Sequence, residues 1–112
     1  MKIYHNPRCK KSRETLSILN KNNCKIEIID YIKEPLNKKD LSIILKKLNI
    51  LAIDLVRKNE IEWRKRDVKN LDNEQIINLM IKFPKLMQRP IVTNGDKAII
   101  GRPPDNVYKI MT

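Results

Sequence analysis

Cys9 is the residue on which chemistry is most readily built. It lies in the stretch Tyr4-His5-Asn6-Pro7-Arg8-Cys9-Lys10-Lys11-Ser12-Arg13-Glu14-Thr15-Leu16, with cationic Arg8, Lys10, Lys11 and Arg13 close by, His5 four residues upstream and no acid nearer than Glu14. The thiolate is the reactive form of cysteine, and positive surroundings at a helix N-terminus bring its pKa from about 8.5 into a range of roughly 3.5–7.5. Cys9 therefore reads as a nucleophile. Position 12, where a dithiol redox motif carries its second cysteine, is Ser12, so Cys9-Lys10-Lys11-Ser12 is a monothiol version of that motif. Arg57, Arg89 and Arg102 fall at the ends of predicted elements. Their forked donors suit a tetrahedral oxyanion, although the same spacing fits surface arginines.

The elements that must position these residues follow from periodicity. A short apolar run at Ile3-Tyr4 breaks at Asn6-Pro7, and Leu16 and Leu19 share one face of a helix predicted over about residues 11–22. Cys9 then sits in a strand-to-helix turn, where backbone N–H groups without internal partners favour negative charge. Asn23 suits a left-handed helix stop, and Lys25–Tyr31 alternates as a strand, giving a β-α-β unit with parallel strands. Cys24, before that strand, reads as a structural or incidental thiol. Asn37 caps a helix with Leu41, Ile44, Leu45 and Leu48 on one face, and a short helix is expected over about 52–57. Trp63 is expected to pack over the helices, and Arg64-Lys65-Arg66 to form a solvated helix face. A further helix starts at Asp72 or Asn73, buries Ile76, Ile77, Met80 and Phe83, and stops at Pro84. Next come a strand led by Pro90, an Asn94-Gly95 turn, a return strand over 97–100, and a closing helix entered through Gly101-Arg102-Pro103-Pro104. The order is that of an α/β thioredoxin or glutaredoxin domain with a mixed sheet, here with a helical insertion over about 36–84. In that arrangement Pro90 begins the strand facing the cysteine, and a cis Arg89-Pro90 bond is expected.

Composition bounds the reading. At 112 residues the chain suits one domain, and 41% hydrophobic against 33% charged residues suits a soluble globular protein with a mostly aliphatic core. No apolar run approaches the roughly 20 residues of a membrane span, and a cytoplasmic location without a leader is expected. Two cysteines 15 residues apart fit neither a disulfide framework nor a zinc site, so neither a resident metal nor a bound cofactor is expected. The net charge of +11 raises nucleic acid as a partner, but the lysines are spread through every predicted helix, which argues against a dedicated binding face. A monomer is expected.

Four separated segments carry a resemblance. Residues Tyr4–Leu16, Leu55-Val56-Arg57-Lys58-Asn59, Arg89-Pro90-Ile91-Val92 and Gly101-Arg102-Pro103-Pro104 together closely resemble the ArsC-type arsenate reductase family, in one order over nearly the whole chain. The resemblance implies that Cys9 attacks arsenate or a related oxyanion. It also implies that Arg57, Arg89 and Arg102 hold the oxyanion, that His5 and Ser12 favour the thiolate, and that Pro90 is the family's cis-proline. It further implies glutathione as co-substrate and a glutaredoxin as the protein that regenerates the cysteine, which suits a monothiol site. Other readings stay open at this stage. One is a regulatory protein of the related branch that binds RNA polymerase, against which Ser12 argues, because that branch carries Cys-x-x-Cys. Another is a general glutathione-linked thiol oxidoreductase, and a third is a small nucleic-acid binder.

Overall fold

A computed structural model describes residues 1–111. The chain divides into two compact units, one formed by Met1–Glu34 with the chain from Arg89 onward, the other by Pro35–Gln88.

The first unit is built on a four-stranded mixed sheet in the order β2-β1-β3-β4, with β1 Lys2–His5, β2 Glu27–Asp30, β3 Ile91–Asn94 and β4 Lys97–Ile100. β1 and β2 are parallel, joined by helix α1 over Lys10–Lys21, while β3 runs antiparallel to both β1 and β4. Asn23, at φ 56°, turns the chain out of α1, and Gly95, at φ 62°, closes the β3–β4 hairpin. β2 is shorter than its sequence suggests, because the ladder with β1 begins at Lys2 opposite Glu27 and leaves Lys25 and Ile26 outside it. Ile3 and Val92 from the sheet, Leu19 from α1, and Val107 and Ile110 from the last element form one buried cluster. Truncating such an aliphatic side chain to alanine costs about 2–5 kcal/mol, so this cluster anchors the unit.

That last element corrects an expectation. Pro104–Ile110 is a 3₁₀ helix, and Pro104, Val107 and Ile110, each three residues apart, are its buried side. A period of three places them in one eclipsed row, which an α-helix would rotate apart.

The second unit is helical: α2 Lys38–Leu48, α3 Ala52–Leu55, α4 Ile61–Arg64, α5 Asn73–Lys82, and a 3₁₀ turn over Pro84–Leu86. Asn37 caps α2 by accepting from the Asp40 N–H at 2.8 Å, and Asp72 caps α5 by accepting from the Gln75 N–H at 2.8 Å. Each such cap stabilises its helix by about 1 kcal/mol. Trp63 is buried, as are Ile76, Ile77 and Met80, whereas Phe83 is only half-buried. The expected solvated face at Arg64-Lys65-Arg66 holds only in part. Arg66 turns back to bond the Glu62 carboxylate at 3.1 Å and stacks over the Phe83 ring at 5.1 Å.

One close approach in the first unit fixes the strand ends against α1. A Cβ at Gly101 would stand 2.5 Å from Thr15 Oγ1 and 2.7 Å from Pro90 Cγ. Thr15 cannot easily yield, since it is fully buried and its hydroxyl donates to the Lys11 carbonyl at 2.9 Å. Replacing Gly101 by alanine is expected to destabilise the protein by about 1–3 kcal/mol, as overpacking does, read from the denaturant midpoint. An unchanged midpoint would show that Thr15 and Pro90 do yield.

Candidate functional site

Cys9 is the N-cap of α1. The turn that presents it is held by the Cys9 N–H donating to the Asn6 carbonyl at 2.9 Å and by Arg13 donating to the Pro7 carbonyl at 2.9 Å. Arg8 N–H donates to the Asn6 side chain at 3.0 Å. These bonds leave the sulfur half-exposed at the start of the helix.

The electrostatics there oppose one another. Burial pushes the Cys9 thiol up, but the Ser12 backbone N–H, the Arg89 guanidinium and the Lys11 N–H together outweigh it and hold the thiol below its ordinary pKa. The side chain makes no capping hydrogen bond in the strict geometric sense, so these N–H groups act on the sulfur as short-range positive dipoles. Arg89 acts both as a hydrogen-bond donor and as a charge.

Ser12 is fully buried and joins the end of β1 to the start of α1. Its hydroxyl accepts from the Asn6 N–H at 3.0 Å and lies 2.6 Å from His5 Nδ1. His5, in turn, is buried, and its pKa is lowered: burial lowers it most, Asp30 opposite it in β2 raises it, and Arg13 lowers it. A neutral ring follows. Ser12 Oγ thus accepts from the Asn6 N–H and shares a second hydrogen bond with His5 Nδ1, in which donor and acceptor follow the ring's tautomer. His5 thus bears on the Cys9 turn through Ser12 rather than as a cation beside the sulfur.

The strand ends complete the arrangement. The Arg89-Pro90 bond is cis, as the sequence suggested; the Arg102-Pro103 bond is also cis, which it did not. Arg102 Nη1 donates to the Arg89 carbonyl at 3.3 Å, tying the two arginines together, and the Gly101 N–H donates to the Pro90 carbonyl at 2.8 Å. Asn106 donates to the Arg102 carbonyl at 3.1 Å and the Ile100 carbonyl at 3.2 Å, fixing the loop that carries Arg102. Gly101, Thr15 and Asn106 are the supporting residues that spacing alone did not single out.

Cys9, His5, Ser12, Arg89, Pro90 and Arg102 all belong to the first unit, whereas Arg57 belongs to the second. There its Nη1 donates to the Glu60 carboxylate at 2.9 Å, and its N–H donates to the Leu86 carbonyl at 2.6 Å. Among the described residues, no group of three or more His, Cys, Asp or Glu side chains is placed to hold a metal ion, and no helix is long and apolar enough to cross a membrane.

Comparison with known proteins shows what the chain resembles as a whole. The pattern described as the ArsC family matches residues 4–110. The chain is 42% identical to the protein of Escherichia coli K12 called uncharacterized protein YfgD, over 99% of this chain and 96% of that one. It is 38% identical to the arsenate reductase of Haemophilus influenzae, over 97% of each. The solved arsenate reductase of Vibrio cholerae superposes with a TM-score of 0.94 at 31% identity, covering 99% of this chain and 98% of that one. The chain shares its mixed-sheet, thioredoxin-like fold with that solved structure.

A lowered thiol pKa has a direct kinetic expression. At pH 7 Cys9 should react with iodoacetamide at least about ten-fold faster than Cys24, and Arg89→Ala should move the inflection of the Cys9 rate–pH profile upward, since a nearby cation favours the thiolate. Equal rates at the two cysteines would contradict the assignment.

Proposed function

The chain belongs to the ArsC family, and we propose that it reduces arsenate, or a closely related oxyanion, through Cys9. The observation that carries this reading is the convergence on one half-exposed sulfur of a helix N-terminus and the Arg89 guanidinium. Such a setting favours a thiolate and at the same time offers fixed donors to a tetrahedral oxyanion.

In the proposed reaction the Cys9 thiolate attacks the arsenic of arsenate and displaces one oxygen as water, forming a cysteinyl-arsenate. Arg89, with Arg102 tied to it, neutralises the oxyanion and holds it for attack. A second thiol, that of glutathione, then attacks the Cys9 sulfur; arsenite departs with the electron pair, and Cys9 is left in a mixed disulfide. A further thiol, supplied by a glutaredoxin, attacks that disulfide and returns Cys9 to the thiolate. Arsenic gains two electrons and a pair of thiols is oxidised, which balances the cycle. Arg57, which pairs with Glu60 in the second unit, is the third arginine that the resemblance implies for the oxyanion.

The need for an outside thiol has support within the fold. Cys24 lies beyond the far end of α1, whose 12 residues span about 18 Å, and disulfide geometry requires Cα atoms within about 7 Å. Cys24 is therefore out of reach as a resolving thiol.

The test is arsenate-dependent NADPH oxidation coupled through glutathione, glutaredoxin and glutathione reductase. Cys9→Ser should abolish turnover, Cys24→Ser should leave it within about two-fold, and Arg89→Ala should lower kcat/KM by about 10²-fold or more, as loss of an oxyanion donor does. Equal losses in the two cysteine variants would overturn the monothiol cycle.

A further inference from the structure

A groove of 570 Å³ runs along the flank of α1 that carries Arg13, Leu16, Ser17, Asn20 and Lys21, and His5 and Pro7 complete its lining. The spacing explains the row, because residues three and four apart share a helix face. Its chemistry is consistent along its length: Arg13 and Lys21 are cationic, Ser17 and Asn20 are polar, and Leu16 supplies an apolar strip, with no carboxylate in the lining. Among the described residues the side chains of Ser17, Asn20 and Lys21 enter no hydrogen bond or ion pair.

His5 gives the groove its direction. Only 7% of the residue is exposed. Nδ1 is engaged with the Ser12 hydroxyl at 2.6 Å, so Nε2 is the ring nitrogen left for a ligand. An imidazole beside two cations, with no acid in the lining, suits an acceptor anion, to which the protonated ring donates. Arg13 and Lys21 are eight residues apart, about 12 Å along the helix axis, and their long side chains can close on a ligand charged at both ends. The volume lies in the range of small-molecule sites.

We infer that this groove binds a small organic dicarboxylate, one carboxylate taking the His5 Nε2–H and Arg13, the other Lys21 and Asn20. The groups facing His5 from neighbouring elements are consistent with this arrangement. Asp30 on β2 is the acid that acts on the ring, but its carboxylate accepts from the Ile32 and Lys33 N–H groups at 3.1 and 3.3 Å, and it does not line the groove. On α1, Ser12 holds Nδ1 and Arg13 stands at the groove itself. A carboxylate bound against His5 favours the protonated ring, so occupancy raises the pH at which His5 titrates. The site does not depend on the reaction proposed above, since binding is measured without turnover.

His5 is the chain's one histidine, so its ring resonances in an NMR spectrum need no assignment by mutation. Titrating the full protein with glutarate, at fixed pH and with ionic strength balanced by sodium chloride, should shift the His5 ring signals saturably and raise the pH midpoint of their titration. Lys21→Glu, an exposed change in the last turn of α1, should weaken the apparent affinity by at least about five-fold, and uncharged glutaramide should produce no shift. The inference is overturned if glutarate leaves the His5 signals unmoved, if glutaramide moves them equally, or if Lys21→Glu binds as tightly as the wild type.

Discussion

The absence of a side chain at position 101 determines how closely the ends of the antiparallel strands can lie against α1. Gly101 fits against Pro90 and Thr15 with no room for a Cβ, and Gly101 N–H is bonded to the Pro90 carbonyl. Arg89 precedes Pro90 and Arg102 follows Gly101, so the two cations flank that seam on either side. Thr15 lies on the helix whose N-cap is Cys9. Packing at one apolar-sized contact thereby brings charge to the sulfur, and the bond from Arg102 to the Arg89 carbonyl keeps the pair together. Core packing is stiff enough to transmit such a constraint, because interiors are near crystalline density.

The electrostatics at Cys9 depend on local geometry more than on total charge. A net charge of +11 would raise the potential over the whole surface, yet exposed charges farther than about 10 Å are screened at ordinary salt. What reaches the sulfur is the Ser12 and Lys11 N–H groups and Arg89, acting against the cost of burial. His5, though the titratable group nearest in kind to a physiological switch, is held neutral by its burial and spends Nδ1 on Ser12. Ser12 consequently has two functions: its backbone N–H faces the sulfur, and its hydroxyl secures the loop between β1 and α1.

Much of this was legible in the sequence where the signal is local. Asn23 and Gly95 have the positive φ that their residue types and positions suggest, Asn37 and Asp72 cap the helices they precede, and Pro84 follows the end of α5. Cys9 at a strand-to-helix turn was legible for the same reason, since the breaker Asn6-Pro7 and the apolar spacing of Leu16 and Leu19 bracket it. The sequence of the closing element suits a helix with Val107, Ile110 and Met111 on one side, a spacing that fits several periods. The buried row at 104, 107 and 110 has a period of three, but in the sequence Pro104 marks the tolerated first turn of the helix and not its buried face. Gly101 was beyond reach, because its requirement is set by Thr15, 86 residues earlier in the chain, and only the tertiary contact reveals it. The His5–Ser12 bond likewise spans a loop, and no periodicity encodes it.

The placement of the two thiols gives the fold a chemical direction. α1 separates Cys9 from Cys24 by its own length, and a helix is too stiff to fold back within disulfide range. Ser12 occupies the position from which a nearby second thiol would act, and it is committed to His5 and Asn6 instead of being free to be exchanged without loss. Converting the site to a dithiol by Ser12→Cys would therefore remove the hydroxyl that bridges β1 to α1, because a thiol is a weak donor and a weak acceptor. The monothiol character is thus built into the hydrogen bonding of the turn, and it follows from the same residue that holds Cys9 at the helix start.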